Sequence, residues 1–102
     1  MKTVIDGLVY NTGTAELIAE WCNCLSRSDH QWCEESLYQT KKGRFFLVGE
    51  GGPMSTWYES VGNARRSGSG VRALTMEGAL SWCEAADVDA ETIESFFSVE
   101  EA

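Results

Sequence analysis

No lysine or arginine follows Arg72 in this chain of 102 residues. That absence leaves Glu77, Glu84, Asp87, Asp89, Glu91, Glu94, Glu100 and Glu101, half of the 16 carboxylates, without a basic residue around them in sequence. Such a segment projects a negative field that repels nucleic acid and attracts cationic protein surfaces. The chain also has no stretch approaching the roughly 18–20 apolar residues of a membrane span. Met1 to Asp6 lacks the roughly 7–15-residue apolar run of a signal peptide. The expectation is a cytoplasmic protein with no membrane partner. There is one histidine, His30, and neither a G-x-G-x-x-G nor a G-K-[ST] loop. These shortages leave no catalytic signature, so the chain reads as a non-enzyme without a cofactor.

What is present suits one compact domain, residues 1–102. A hydrophobic share of 43% with eleven aromatics is enough for a small core. The net charge of −8 comes from 16 acids set against 8 bases, and not from an excess of charge that would keep the chain unfolded. The bases are concentrated: Lys41, Lys42, Arg44, Arg65, Arg66 and Arg72 face only Glu50 and Glu59 between residues 41 and 72. Four cysteines without an export signal are expected to be free thiols.

Residues 3–10, rich in β-branched and aromatic side chains, predict a first strand ending at Asn11-Thr12-Gly13. Thr14 as a cap, with Leu17, Ile18, Trp21 and Leu25 at helical spacing, predicts a helix ending near residues 23–25. Residues 32–40 and 44–50 flank Lys41-Lys42-Gly43 and predict a β-hairpin whose second arm, apolar on both faces, lies inside the sheet. Gly49-Glu50-Gly51-Gly52-Pro53 reads as a strand-ending turn that needs positive φ, not a phosphate loop. Met54, Trp57, Tyr58 and Val61 suggest a short helix or an irregular turn, Gly62 to Gly70 a mobile loop, and Val71 to Leu74 an edge strand. Thr75 caps a helix with Met76, Ala79, Leu80 and Cys83 on its apolar face, and Asp89 caps another with Ile93, Phe96 and Phe97 inward. The fold class is α+β: a small antiparallel or mixed sheet with a central β-hairpin, packed against two to three helices.

Cys22, Cys24, His30 and Cys33 provide the donor types of a zinc site, but Cys-x-Cys at a helix end would point its sulfurs about 200° apart, so no metal is assigned. A single loop histidine beside four cysteines does not make a hydrolase. Glu34 and Glu35 alternate across a strand and cannot cooperate as an acid–base pair. The C-terminal carboxylates carry a sharper reading. Glu84, Asp87, Asp89, Glu91 and Glu94 on the outside of the last two helices would imitate a run of phosphates and enter the cationic channel of a nucleic-acid-binding effector.

The segment Leu37-Tyr38-Gln39-Thr40-Lys41-Lys42-Gly43-Arg44-Phe45-Phe46-Leu47-Val48-Gly49-Glu50-Gly51-Gly52, with Ala73-Leu74-Thr75-Met76-Glu77-Gly78-Ala79-Leu80-Ser81-Trp82 downstream, resembles a group of small proteins from bacterial prophages and integrative mobile elements. The likeness runs from about Val9 to Phe97 and carries over no catalytic residue. Small acidic proteins of such elements include anti-CRISPR inhibitors, some of which present carboxylates in place of phosphates. The resemblance therefore implies an inhibitor acting in the host bacterial cytoplasm on a nucleic-acid-targeting effector such as a CRISPR-associated complex, with no direct nucleic-acid binding. The alternative is a small non-enzymatic adaptor or regulator that uses Lys41, Lys42, Arg44, Arg65, Arg66 and the glycine-rich loop to touch protein or nucleic acid.

Overall fold

The computed structural model describes residues 1–102. Ten elements follow one another: β1 (Lys2–Ile5), β2 (Leu8–Asn11), β3 (Glu16–Cys22), β4 (Cys33–Gln39), β5 (Phe45–Gly51), β6 (Glu59–Val61), β7 (Ala64–Arg66), β8 (Gly68–Leu74), α1 (Met76–Ala85) and α2 (Ala90–Phe96). This is an α+β fold with antiparallel sheets and two helices. The main sheet has the order β3-β4-β5-β8, while β1-β2 and β6-β7 are separate two-stranded hairpins. Neither helix is long and apolar enough to cross a membrane.

The β4-β5 hairpin turns at Lys41-Lys42-Gly43. Gly43 sits at φ 88°, a region that side chains with a Cβ rarely enter, and Arg44 N donates to Thr40 Oγ1 at 3.0 Å. Phe45, Phe46 and Leu47 are all buried because β5 has a layer on each face. On one face Phe45, Leu47 and Leu37 meet Ala79 and Cys83 of α1 and Phe97 just beyond α2, with the Phe45 and Phe97 rings stacked at 4.9 Å. On the other, Phe46 lies between Tyr38, stacked at 5.2 Å, and Tyr10 of β2, edge-on at 5.3 Å. Complete burial of Leu37 and Phe46 is worth about 1.5–3 kcal/mol each.

Several expected elements differ. Residues 3–10 form two strands, because Asp6 (φ 51°) and Gly7 (φ 78°) make the two-residue hairpin turn that Asp-Gly favours. The helix expected from Thr14 is strand β3, and Thr14 caps nothing. A bulge between Leu17 and Ala19 puts the buried Ile18 out of alternation, so the apolar spacing of this strand imitates that of a helix. Of the two forms expected at Met54 to Val61, the irregular turn is found and the helix is not. Residues 53–57 are turns that bring Trp57 into the core, and β6 follows. The expected mobile loop Gly62 to Gly70 is instead the β6-β7 turn, strand β7 and the start of β8, which is the sheet's edge and longer than Val71 to Leu74.

Gly49, Gly51 and Gly52 do not have positive φ, and β5 runs on to Gly51 rather than stopping at Gly49. They serve close approach instead. A Cβ at Gly49 would overlap the Trp57 indole, and one at Gly52 would stand 2.6 Å from the His30 carbonyl oxygen. Gly49 pairs with Gly70 and Gly51 with Gly68, and the bare strip they present is filled by the 55–57 turn, with the Trp57 indole over Gly49 and Gly70, Ser55 over Gly51 and the Trp57 carbonyl over Gly68. Replacing Gly49 with alanine should displace Trp57 and lower stability by about 3 kcal/mol, an overpacking cost readable as a shifted urea midpoint. An unchanged midpoint would show that the indole does not need the bare strip.

Candidate protein-binding surface

The carboxylates singled out from sequence lie on α1, α2 and the turn between them. Thr75 Oγ1 accepts from Gly78 N at 3.0 Å and starts α1. The helix ends in a six-to-one closure, with Val88 N donating to Cys83 O at 3.0 Å while Asp87 takes the left-handed position (φ 58°) usually given to glycine. Val88 is thereby turned into the core, and Asp89 immediately starts the next helix. Its carboxylate accepts from Thr92 N at 3.2 Å and from Thr92 Oγ1 at 2.7 Å. Ile93, Phe96 and Phe97 hold α2 down.

Glu84, Asp87, Asp89, Glu91 and Glu94 are all exposed. None takes part in an ion pair, since the molecule's salt bridges join Arg27 to Glu34 and Glu50, and Arg66 to Glu59. Glu84 and Asp87 stand at the negative end of the α1 dipole, and neither helix has a base in its last turn. Their charge is therefore unfavourable to the fold by itself. Asp89 differs from the other four, because its capping bonds to Thr92 hold its carboxyl below the usual aspartate range.

The residue that positions this platform is Glu35, whose role sequence reasoning missed. Its Oε2 accepts from Trp57 Nε1 at 2.8 Å and its Oε1 from Trp82 Nε1 at 2.9 Å. One half-buried carboxylate thus ties the sheet to the 53–57 turns and to α1. Arg72 lies 4.0 Å from the Trp57 ring centre and donates to Thr56 O at 2.7 Å, which fixes the same indole from its face. The usable signal was Glu35 standing two residues from Cys33 and from Leu37, inside the inward-facing row of a strand. Trp57 and Trp32 are buried and Trp21 and Trp82 half-buried.

The cysteines are arranged differently from the helical expectation. Cys22 ends strand β3 and Cys24 follows at φ 58°, so their sulfurs meet at 2.7 Å instead of diverging. Cys33 and Cys83 are buried, and burial raises both thiols above their ordinary range. Their protonated sulfurs belong to the core. His30 is exposed and gives the structure its backbone carbonyl, which accepts from Met54 N at 2.7 Å. No group of three or more His, Cys, Asp or Glu side chains converges as a metal-binding set. An open depression of about 430 Å³ is lined by Glu20, Trp21, Cys22, Glu34, Glu35 and Ser36, a ring of carboxylates with no cation or imidazole among them.

The bases do not form one surface. Arg65 lies 4.3 Å from the Tyr58 ring centre and Arg66 pairs with Glu59 at 2.7 Å, both on the β6-β7 hairpin. Lys41, Lys42 and Arg44 are exposed at the turn joining β4 to β5, where Phe45 pairs with Leu74. Gly51, at the other end of β5, pairs with Gly68 beside the β6-β7 hairpin. The two basic groups are thus separated by the length of a seven-residue strand, about 20 Å. No family model, curated protein or solved structure matches the chain.

Replacing Glu35 with glutamine puts an amide N–H against one of the two indole N–H groups. Stability should fall by about 1–3 kcal/mol, the cost of an unsatisfied buried donor, with altered tryptophan fluorescence in the native state. Retention of the wild-type denaturation curve would remove Glu35 from its tying role. Asp89 sets a pH dependence of known sign. Its folded pKa is depressed below the ordinary value of 3.8, so its capping contribution is present above that value and is lost as pH falls through the folded pKa. The Thr92 amide resonance should report this by titrating below the ordinary aspartate range. A midpoint at or above 3.8 would contradict the cap.

Proposed function

We propose that this protein is a non-enzymatic inhibitor of the anti-CRISPR type, encoded by a mobile element, that occupies the cationic nucleic-acid channel of a host effector with the carboxylates of α1 and α2. The observation that carries the reading is the placement of Glu84, Asp87, Glu91 and Glu94. They are exposed and unneutralised, and Glu84, Asp87 and Glu94 stand at helix ends whose dipoles disfavour their charge. A fold that needed these groups only for solubility would gain by placing bases among them. A cationic partner relieves the repulsion, and the carboxylates then stand where phosphates would. Asp89 contributes charge, but its first task is to cap α2.

The adaptor reading gains less support. Arg65, Arg66 and Arg72 are engaged with Tyr58, Glu59 and Trp57, which leaves Lys41, Lys42 and Arg44 as a small separate basic tip. Electrophoretic titration distinguishes the two readings. The protein should not bind labelled duplex or single-stranded DNA at moderate salt, and it should block target-DNA binding by a susceptible CRISPR effector in a salt-dependent way. A Glu84→Lys, Glu91→Lys, Glu94→Lys variant, which leaves Asp87 and Asp89 to hold the interhelical turn, should weaken that inhibition by about tenfold or more, equivalent to about 1.4 kcal/mol. Its melting temperature should not fall. Undiminished inhibition by the folded variant overturns the acidic-surface mechanism, and direct DNA binding by the wild type would favour the adaptor.

A further inference from the structure

We propose that Cys22 and Cys24 form a reversible dithiol–disulfide site that exchanges electrons with low-molecular-weight disulfides. Their sulfurs already stand 2.7 Å apart, so less than about 1 Å of movement separates the contact from a covalent bond of about 2.05 Å. The backbone is built to hold them there. Asn23 between them donates its backbone N–H to Cys33 O at 3.1 Å and its side-chain Nδ2 to Gln31 O at 2.7 Å. Its Oδ1 in turn accepts from Cys33 N at 3.1 Å and Leu25 N at 3.3 Å. These four bonds lock the residue between the two thiols while Cys24 occupies the left-handed conformation that folds its side chain back toward the end of β3. Preorganisation of this kind removes most of the ordering cost that closing a disulfide otherwise carries.

The two sulfurs differ in access. Cys24 is exposed and Cys22 half-buried, so Cys24 is the entry point and Cys22 the resolving thiol. The Cys24 thiolate attacks one sulfur of the small disulfide RSSR, forming Cys24–S–S–R and expelling RS⁻, which takes up a proton. The Cys22 thiolate then attacks the Cys24 sulfur and expels the second RS⁻. Two thiols and RSSR become the Cys22–Cys24 disulfide and two RSH, with two electrons passing to the reagent. The hydrogen bond and charge of Cys22, with burial and Glu34 behind them, raise the Cys24 thiol above its ordinary range, so exchange needs mildly alkaline solution to run quickly. Cys33 and Cys83 are buried and remain reduced throughout.

The test treats the fully reduced, folded protein with oxidised glutathione and follows intact mass and peptide maps. The wild type should lose two hydrogens, with the new bond mapped between Cys22 and Cys24 and reversed by dithiothreitol. The Cys22→Ser variant should stop at a glutathione mixed disulfide on Cys24 that survives about tenfold longer or more than in the wild type. The Cys24→Ser variant, altered only at an exposed position, should take up no glutathione. The proposal fails if the wild type keeps the mixed disulfide as Cys22→Ser does. It also fails if the dithiol persists although iodoacetamide labels Cys24, or if neither reagent reacts at Cys24.

Discussion

The Glu35 carboxylate holds together parts of the chain that no strand pairing connects. Each of its oxygens takes one indole N–H, from Trp57 at 2.8 Å and Trp82 at 2.9 Å, so the middle of the sheet, the segment after the glycines and the first helix meet at one side chain. Removing a carboxylate from water is costly, and two charge-assisted hydrogen bonds offset that cost only if both indoles arrive in place. The arrangement is therefore close to all-or-none. It also fixes the direction in which α1 leaves the sheet, and the six-to-one turn at Asp87 passes that direction on to α2.

The charges divide along the same line. Most arginines are spent inside the molecule: Arg27 on Trp32 and two glutamates, Arg66 on Glu59, Arg65 on Tyr58, Arg72 on Trp57. Nothing comparable reaches the helices, where the carboxylates face solvent alone. The helices forgo the gain of about 0.2–1 kcal/mol that each exposed ion pair would bring, and they keep a strong negative field. The paired charges thus lie on the sheet side and the unpaired carboxylates on the helix side.

How much of this was legible depended on whether the signal was local. Lys41-Lys42-Gly43, the doubly apolar β5, Thr75 and Asp89 each act through near neighbours in sequence, and each element stands where they put it. Asp6-Gly7 was an equally local hairpin signal, overlooked because the β-branched run around it reads as continuous. Strand β3 was hidden for a physical reason, since its bulge at Ile18 breaks the alternation that marks a strand. Glu35, the bare strip of glycines and the Cys22–Cys24 contact depend on what lies across the sheet or beyond a left-handed residue. The exposure of the acidic residues followed from helix spacing, but the use of Asp89 as a structural ligand for Thr92 divides a group that looked uniform.

On the core face of the β5-β8 seam, Phe45 faces Leu74 and Leu47 faces Arg72, but the next two pairs, Gly49 with Gly70 and Gly51 with Gly68, bring no cross-strand side chains. Cross-strand pairs are a main source of a sheet's side-chain stability, so this end of the seam is covered instead by Ser55 and Trp57, supplied from outside the ladder. β3, β4 and β5 are consecutive in both sequence and sheet, whereas β8 reaches β5 only after the long segment from Gly52 to Ser67, which carries Trp57. When the turns at residues 53–57 lift, β8 loses its hold before β4 does, and its amides should exchange with solvent sooner than those of the central strands.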